Sequence, residues 1–232
     1  MTQPRGIREI GKKGFTLLEL LIVIGIIAVL SVAIIFVLDP AETLRKSRDA
    51  QRMSDLATLK TALGIYVTSK TTPYLAGAAS NTACKTNSGY ASGDKVYYSY
   101  SSDSPGALIT DTTLDGGTTD PSAGQVFNSS TSLTNATGWL PVNLDSLTGG
   151  SPISAMPTDP VNTIATPSAV VSTDLVYRYV CNSDTLKYEI DAQLESTAYT
   201  SDDNKRTKDG GNNSNYYEVG TGLNILGSGT DF

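Results

Sequence analysis

From Phe15 to Leu38 the chain is apolar for 24 residues, and Glu19 is the one ionisable side chain among them. About 20 such residues cross a bilayer core, so the run predicts a helix of membrane length. The pattern then changes. Asp39 offers a helix cap, Pro40 suits a first helical position, and Glu42 stands at capping-box spacing. A second helical stretch is predicted to start there, with a discontinuity because proline cannot donate to a carbonyl four residues back. Leu56, Leu59, Leu63 and Tyr66 recur at helical spacing with Ala57, Lys60 and Val67 beside them, which marks one buried face. The segment Arg45–Arg52, polar all round, is expected to be solvated, and Thr71-Thr72-Pro73 ends the helix.

Residues 99–138 are rich in Ser, Thr, Gly and Asp without a period and predict exposed loops. Apolar character returns at Gly138–Val142, where the single tryptophan, Trp139, is a core candidate. Alternation follows: Leu175, Tyr177, Tyr179 and Cys181 against Val176, Arg178 and Val180. After the turn signal Asn182-Ser183-Asp184 it resumes, with Leu186, Tyr188, Ile190, Ala192 and Leu194 inward and Lys187, Glu189, Asp191 and Gln193 outward. This predicts an antiparallel hairpin with one buried face. The expected fold is α+β, a long N-terminal helix packed on a small antiparallel β-sheet.

A carboxylate inside a membrane-length helix is costly and is read as functional by default. The residues around Glu19 say which function. Lys12-Lys13-Gly14-Phe15-Thr16-Leu17-Leu18-Glu19, running into the apolar segment, resembles the N-terminus of type IV pilins and of type II secretion pseudopilins. The resemblance implies a leader, residues 1–14, cut after Gly14 by a prepilin peptidase that also methylates the new N-terminus at Phe15. It also implies an assembly role for Glu19, whose carboxylate neutralises the new amine of its own helix or of a neighbouring subunit. Within this frame residues 15–38 form the transmembrane or filament-core helix and residues 39–72 carry it onward. Residues 73–232 form an extracytoplasmic pilin-like domain, and Gly25 and Asp39-Pro40 are the points where the helix bends on packing. Met156-Pro157-Thr158-Asp159-Pro160 is similar to the Pro-x-Asp-Pro segment of major pseudopilins.

Charge adds one exclusion and one ambiguity. The chain has 17 basic and 23 acidic residues; the leader holds four bases and one acid, so cleavage leaves 13 and 22, net −9. That balance disfavours nucleic acid as a partner. Arg5, Arg8, Lys12 and Lys13 before the apolar run are opposed by Arg45, Lys46, Arg48 and Arg52 after it. Charge alone therefore leaves orientation open, and the pilin resemblance places the domain outside the cytoplasm. With no histidine in the chain, the common triads and the commonest metal ligand are missing, so an enzyme is not expected. Cys84 and Cys181 read as a structural disulfide in an oxidising compartment, two free thiols being the alternative. Some pseudopilins bind calcium in a C-terminal loop, and here Asp202, Asp203, Asn204 and Asp209 offer hard oxygens. Their spacing is not that of an EF-hand and Lys205, Arg206 and Lys208 lower the charge, so a solvated loop without cofactor is expected, calcium being the alternative.

The expected function is structural: a pilus-like filament subunit, anchored in membrane lipid before assembly and displayed at the cell surface afterwards. Its expected partners are the prepilin peptidase, copies of itself and other pilins, and an inner-membrane assembly platform. The alternatives are a major pseudopilin of a type II secretion system and a membrane-anchored adhesin that never polymerises.

Overall fold

A computed structural model describes residues 14–77, 79–86, 94–100, 110–111, 132–166 and 169–226. The predicted leader, apart from Gly14, and most of the Ser/Thr-rich region 99–138 lie outside the described residues. The chain divides into two units, Met1–Thr43 and Leu44–Phe232.

In the first unit, α1 (Leu17–Leu38) runs unbroken through Gly25. Its polar Ser31 is satisfied internally, the hydroxyl donating to the Ile27 carbonyl at 2.8 Å. The helix stops at Asp39, whose backbone is left-handed (φ 33°, ψ 79°), a conformation that short polar residues tolerate best after glycine. The same residue opens α2 (Pro40–Ser69): its carboxylate accepts from the Glu42 N–H at 3.2 Å and its carbonyl from the Thr43 N–H at 3.1 Å. Of the two suggested joints, only Asp39–Pro40 is broken in the subunit. Among the described residues no helix is long and apolar enough to cross a membrane; the side chains of α1 are described over residues 17–32 and at Ile34. The span expected over residues 15–38 is therefore not supported by the structure.

The second unit is built on the rest of α2 and a sheet of β1 (Tyr97–Tyr98), β4 (Tyr177–Cys181), β5 (Tyr188–Ala192) and β6 (Tyr217–Gly220), antiparallel in that order. A separate parallel pair joins β2 (Thr110–Asp111) to β3 (Ala169–Val170). The predicted hairpin is β4–β5, and Asn182 makes its turn by accepting from the Asp184 and Thr185 N–H groups at 3.0 and 2.9 Å. Leu56, Leu59, Leu63 and Tyr66 are buried as expected, in one core with Trp139, Tyr177, Tyr179, Tyr188 and Ile190. Ala57 and Lys60 are exposed instead of flanking the stripe; Ala62 is the small residue that fits against the sheet. A Cys84–Cys181 disulfide ties the segment after α2 to the end of β4.

Two expectations are overturned by buried charge. The segment Arg45–Arg52 is not uniformly solvated, because Asp49 and Arg52 are fully buried. The Arg52 guanidinium grips Asp159 at 2.6 and 2.9 Å, Asp49 at 2.8 Å and Glu195 at 2.7 Å. Arg48 adds a two-point contact to Glu195 at 2.8 and 2.9 Å. Asp49 in turn accepts from the Ser196 N–H and hydroxyl at 2.7 and 2.6 Å. Burial by itself favours neutral Glu195, but the two guanidiniums outweigh it and hold the carboxyl below its ordinary range.

The outward face of the hairpin is also covered. Glu189 and Asp191 are fully buried, and only Lys187 of that row is exposed while Gln193 is half-buried. Arg178 of β4 binds Asp191 at 2.8 and 2.5 Å and Asp111 of β2 at 3.2 Å, and Asp111 also accepts from the Tyr98 hydroxyl. A second apolar core lies on this side: Val96, Tyr98, Val176 and Val180 are packed with Val170 of β3 and with Ile225 and Leu226 beyond β6. The sheet is thus sandwiched between α2 on one face and irregular segments on the other.

Candidate functional site

The N-terminal segment is built from local contacts. Thr16 caps α1: its hydroxyl accepts from the Glu19 N–H at 3.2 Å, and the Glu19 carboxylate accepts from the Thr16 N–H at 3.4 Å. This reciprocal arrangement satisfies two donors that every helix start leaves open. Glu19 therefore has an occupation, turned back on Thr16, besides the one expected of it toward an amine at Phe15. The T-x-x-E spacing was readable in Thr16-Leu17-Leu18-Glu19. The long apolar run around it makes the carboxylate stand out as an intruder and hides its capping role.

A Cβ added at Gly14 or at Gly25 would meet nothing within 4 Å. Packing among the described residues therefore demands glycine at neither position. From Phe15 to Ile34 the large apolar side chains are between 50 and 84 % exposed. At about 1.5–3 kcal/mol for a side chain taken from full exposure to burial, and with most of these little more than half exposed, covering all of them is worth on the order of 10 kcal/mol or more. An apolar surface of that extent marks a place for lipid or for other protein.

The calcium candidates are not brought together as a cage. Asp203 binds Lys208 at 2.5 Å and also Lys205, which hold its carboxyl down at about 2. Asn204 accepts from the Arg206 N–H at 3.1 Å. Asp209 accepts from the N–H groups of Gly211 and Glu218 at 3.0 and 2.8 Å, and Asp202 is exposed at the end of a single π-type turn. Among the described residues no three acidic, Cys or His side chains are grouped to hold a metal ion.

A family model for the prokaryotic N-terminal methylation motif matches residues 11–35. No curated protein and no solved structure matches the chain. The matched stretch contains Gly14, Phe15, the Thr16–Glu19 cap and most of the exposed apolar helix, and it supports a place for this chain in a type IV pilin-like prepilin family.

Proposed function

We propose that the chain is a structural subunit of a type IV pilus-like filament. A prepilin peptidase cuts after Gly14 and methylates Phe15, and the subunits polymerise by burying their N-terminal helices against one another. The observation that carries this reading is the exposed apolar helix beginning at a methylation motif. Before assembly the subunit waits in the cytoplasmic membrane with its domain outside. This rests on the sequence, in which the apolar run extends from Phe15 to Leu38, about 36 Å of helix at 1.5 Å per residue. The filament then replaces lipid with neighbouring helices, and Glu19 exchanges its cap contact for the amine of Phe15, its own or a neighbour's.

Processing is tested with Gly14→Ala, whose Cβ meets nothing within 4 Å among the described residues. The variant should accumulate at precursor mass and yield no filaments. Normal filaments from an uncleaved precursor would refute the reading, and so would normal surface function without filaments, which fits a monomeric adhesin. The secretion-pseudopilin reading takes support from Asp159 of the Pro-x-Asp-Pro segment, whose carboxylate anchors Arg52. Deletion of the gene then stops export of a secreted enzyme and leaves surface fibres intact.

A further inference from the structure

On the covered face of the sheet two glutamates meet. Glu189 of β5 and Glu218 of β6 lie one rung apart, since Glu189 pairs with Gly220 and Asp191 with Glu218. Both are buried. One oxygen of each is used: Glu189 Oε2 accepts from the Ile225 and Leu226 N–H groups at 2.6 and 3.1 Å, and Glu218 Oε2 accepts from the Asn213 N–H at 2.9 Å. The other oxygen of each, Oε1, is buried with no donor in reach. Two ionised carboxylates have only acceptors to show each other. A single proton between them turns the contact into a carboxyl–carboxylate hydrogen bond and satisfies both atoms.

We propose that Glu189 and Glu218 form a one-proton latch that fastens the C-terminal segment 221–226 and the loop 209–213 onto the sheet. The surroundings are built around it. A Cβ at Gly211 would fall 1.9 Å from Glu218 Oε2, so the backbone of the 209–213 loop lies directly against that carboxyl, and one at Gly220 would fall 2.2 Å from the Tyr188 carbonyl of the adjoining strand. The charged groups nearby have partners of their own. Arg178 is engaged with Asp191 and Asp111 and lies under the Tyr216 ring, 3.8 Å from its centre. Tyr98 donates to Asp111, Asp209 takes the Glu218 N–H, and Lys85 reaches the Ile225 carbonyl at 3.3 Å. Burial, followed by the facing carboxylate, raises Glu218; burial raises Glu189, partly offset by its hydrogen bond to Glu218.

The sign follows from linkage. Once opened to water, the pair ionises in the ordinary carboxylate range, whereas the closed pair keeps its proton to higher pH. The latch is therefore fully effective below the ordinary range and weakens as pH rises, the opening equilibrium growing about tenfold per pH unit until the closed pair itself ionises. Opening frees Ile225 and Leu226 and uncovers Val96, Tyr98, Val176 and Val180, an apolar strip along the sheet.

The test is hydrogen exchange of the full chain in detergent from about pH 5 to about pH 10, corrected for intrinsic rates. Amides of Asn213, Ile225 and Leu226 should lose protection about tenfold per unit in the wild type, while β4–β5 amides keep theirs. Glu218→Gln, whose amide donates the same bond without titrating, should flatten the profile. Parallel profiles for the two proteins would overturn the proposal, and so would wild-type protection restored at high pH by millimolar calcium, which would make the site a cation site. Infrared spectra supply an arm that needs no variant: a protonated carboxyl C=O band at neutral pH is expected, and its absence overturns the latch.

Discussion

Arg52→Met removes one cation from a buried cluster and keeps most of the side chain's length. The guanidinium makes four contacts of 2.6–2.9 Å to Asp159, Asp49 and Glu195. After the substitution Asp49 still accepts from Ser196 and from the Glu195 N–H, and Asp159 from the Val161 and Asn162 N–H groups at 2.8 and 3.2 Å. Neither carboxylate loses all its hydrogen bonds, yet two buried charges lose their counter-ion. Removing one partner of a buried ion pair costs about 3–5 kcal/mol; the surviving bonds put this case near the lower end, about 3 kcal/mol. Trp139 is the single tryptophan, fully buried with its indole N–H on the Pro157 carbonyl at 2.9 Å, so its fluorescence reports the second unit alone. Denaturant titration of the full chain in detergent, read at Trp139, gives the loss. Arg45→Met at an exposed position on the same helix is the control and should cost less than ~1 kcal/mol. If Arg52→Met costs no more than that control, the cluster does not hold α2 to the domain and the reasoning fails.

Gly220→Ala should destabilise the second unit by about 1–3 kcal/mol through overpacking, because its Cβ would meet the Tyr188 carbonyl; Gly25→Ala, in open space, should leave the Trp139 transition unmoved. On the acid side, Glu195 is held below its ordinary range by Arg48 and Arg52 against the effect of burial. Its contribution is present above the ordinary glutamate value and is lost as pH falls through the lowered one, so the wild type minus Glu195→Gln stability difference should shrink below about pH 4.5. A difference independent of pH would show that Glu195 acts by hydrogen bonding alone.

The features that sequence revealed are local ones. The β4–β5 hairpin needs only alternation and an Asn turn within about twenty residues, and α2 announces its buried face at Leu56, Leu59, Leu63 and Tyr66. The N-terminal motif is more compact still, since Gly14, Phe15 and Glu19 lie within six residues of sequence. Asp39-Pro40 was equally readable, because a cap and a missing N–H act on their own backbone.

The polar strand positions show why the rest was hidden. Glu189 and Asp191 sit where an outward face is expected, and alternation reports only that they oppose Tyr188, Ile190 and Ala192. Whether that second face meets water depends on what lies over it. The cover is Val170, Ile225, Leu226 and the loop around Gly211, segments with no period to announce a core. The same holds for Arg52, whose partners Asp159 and Glu195 are 107 and 143 residues away. A basic residue in a polar stretch reads as solvated until the carboxylates that repay its desolvation are in place. Buried charge is thus the least legible part of this chain and also its most position-specific. Each such group tolerates burial only with all of its partners, so these clusters fix how the irregular segments lie on the sheet where hydrophobic pattern does not.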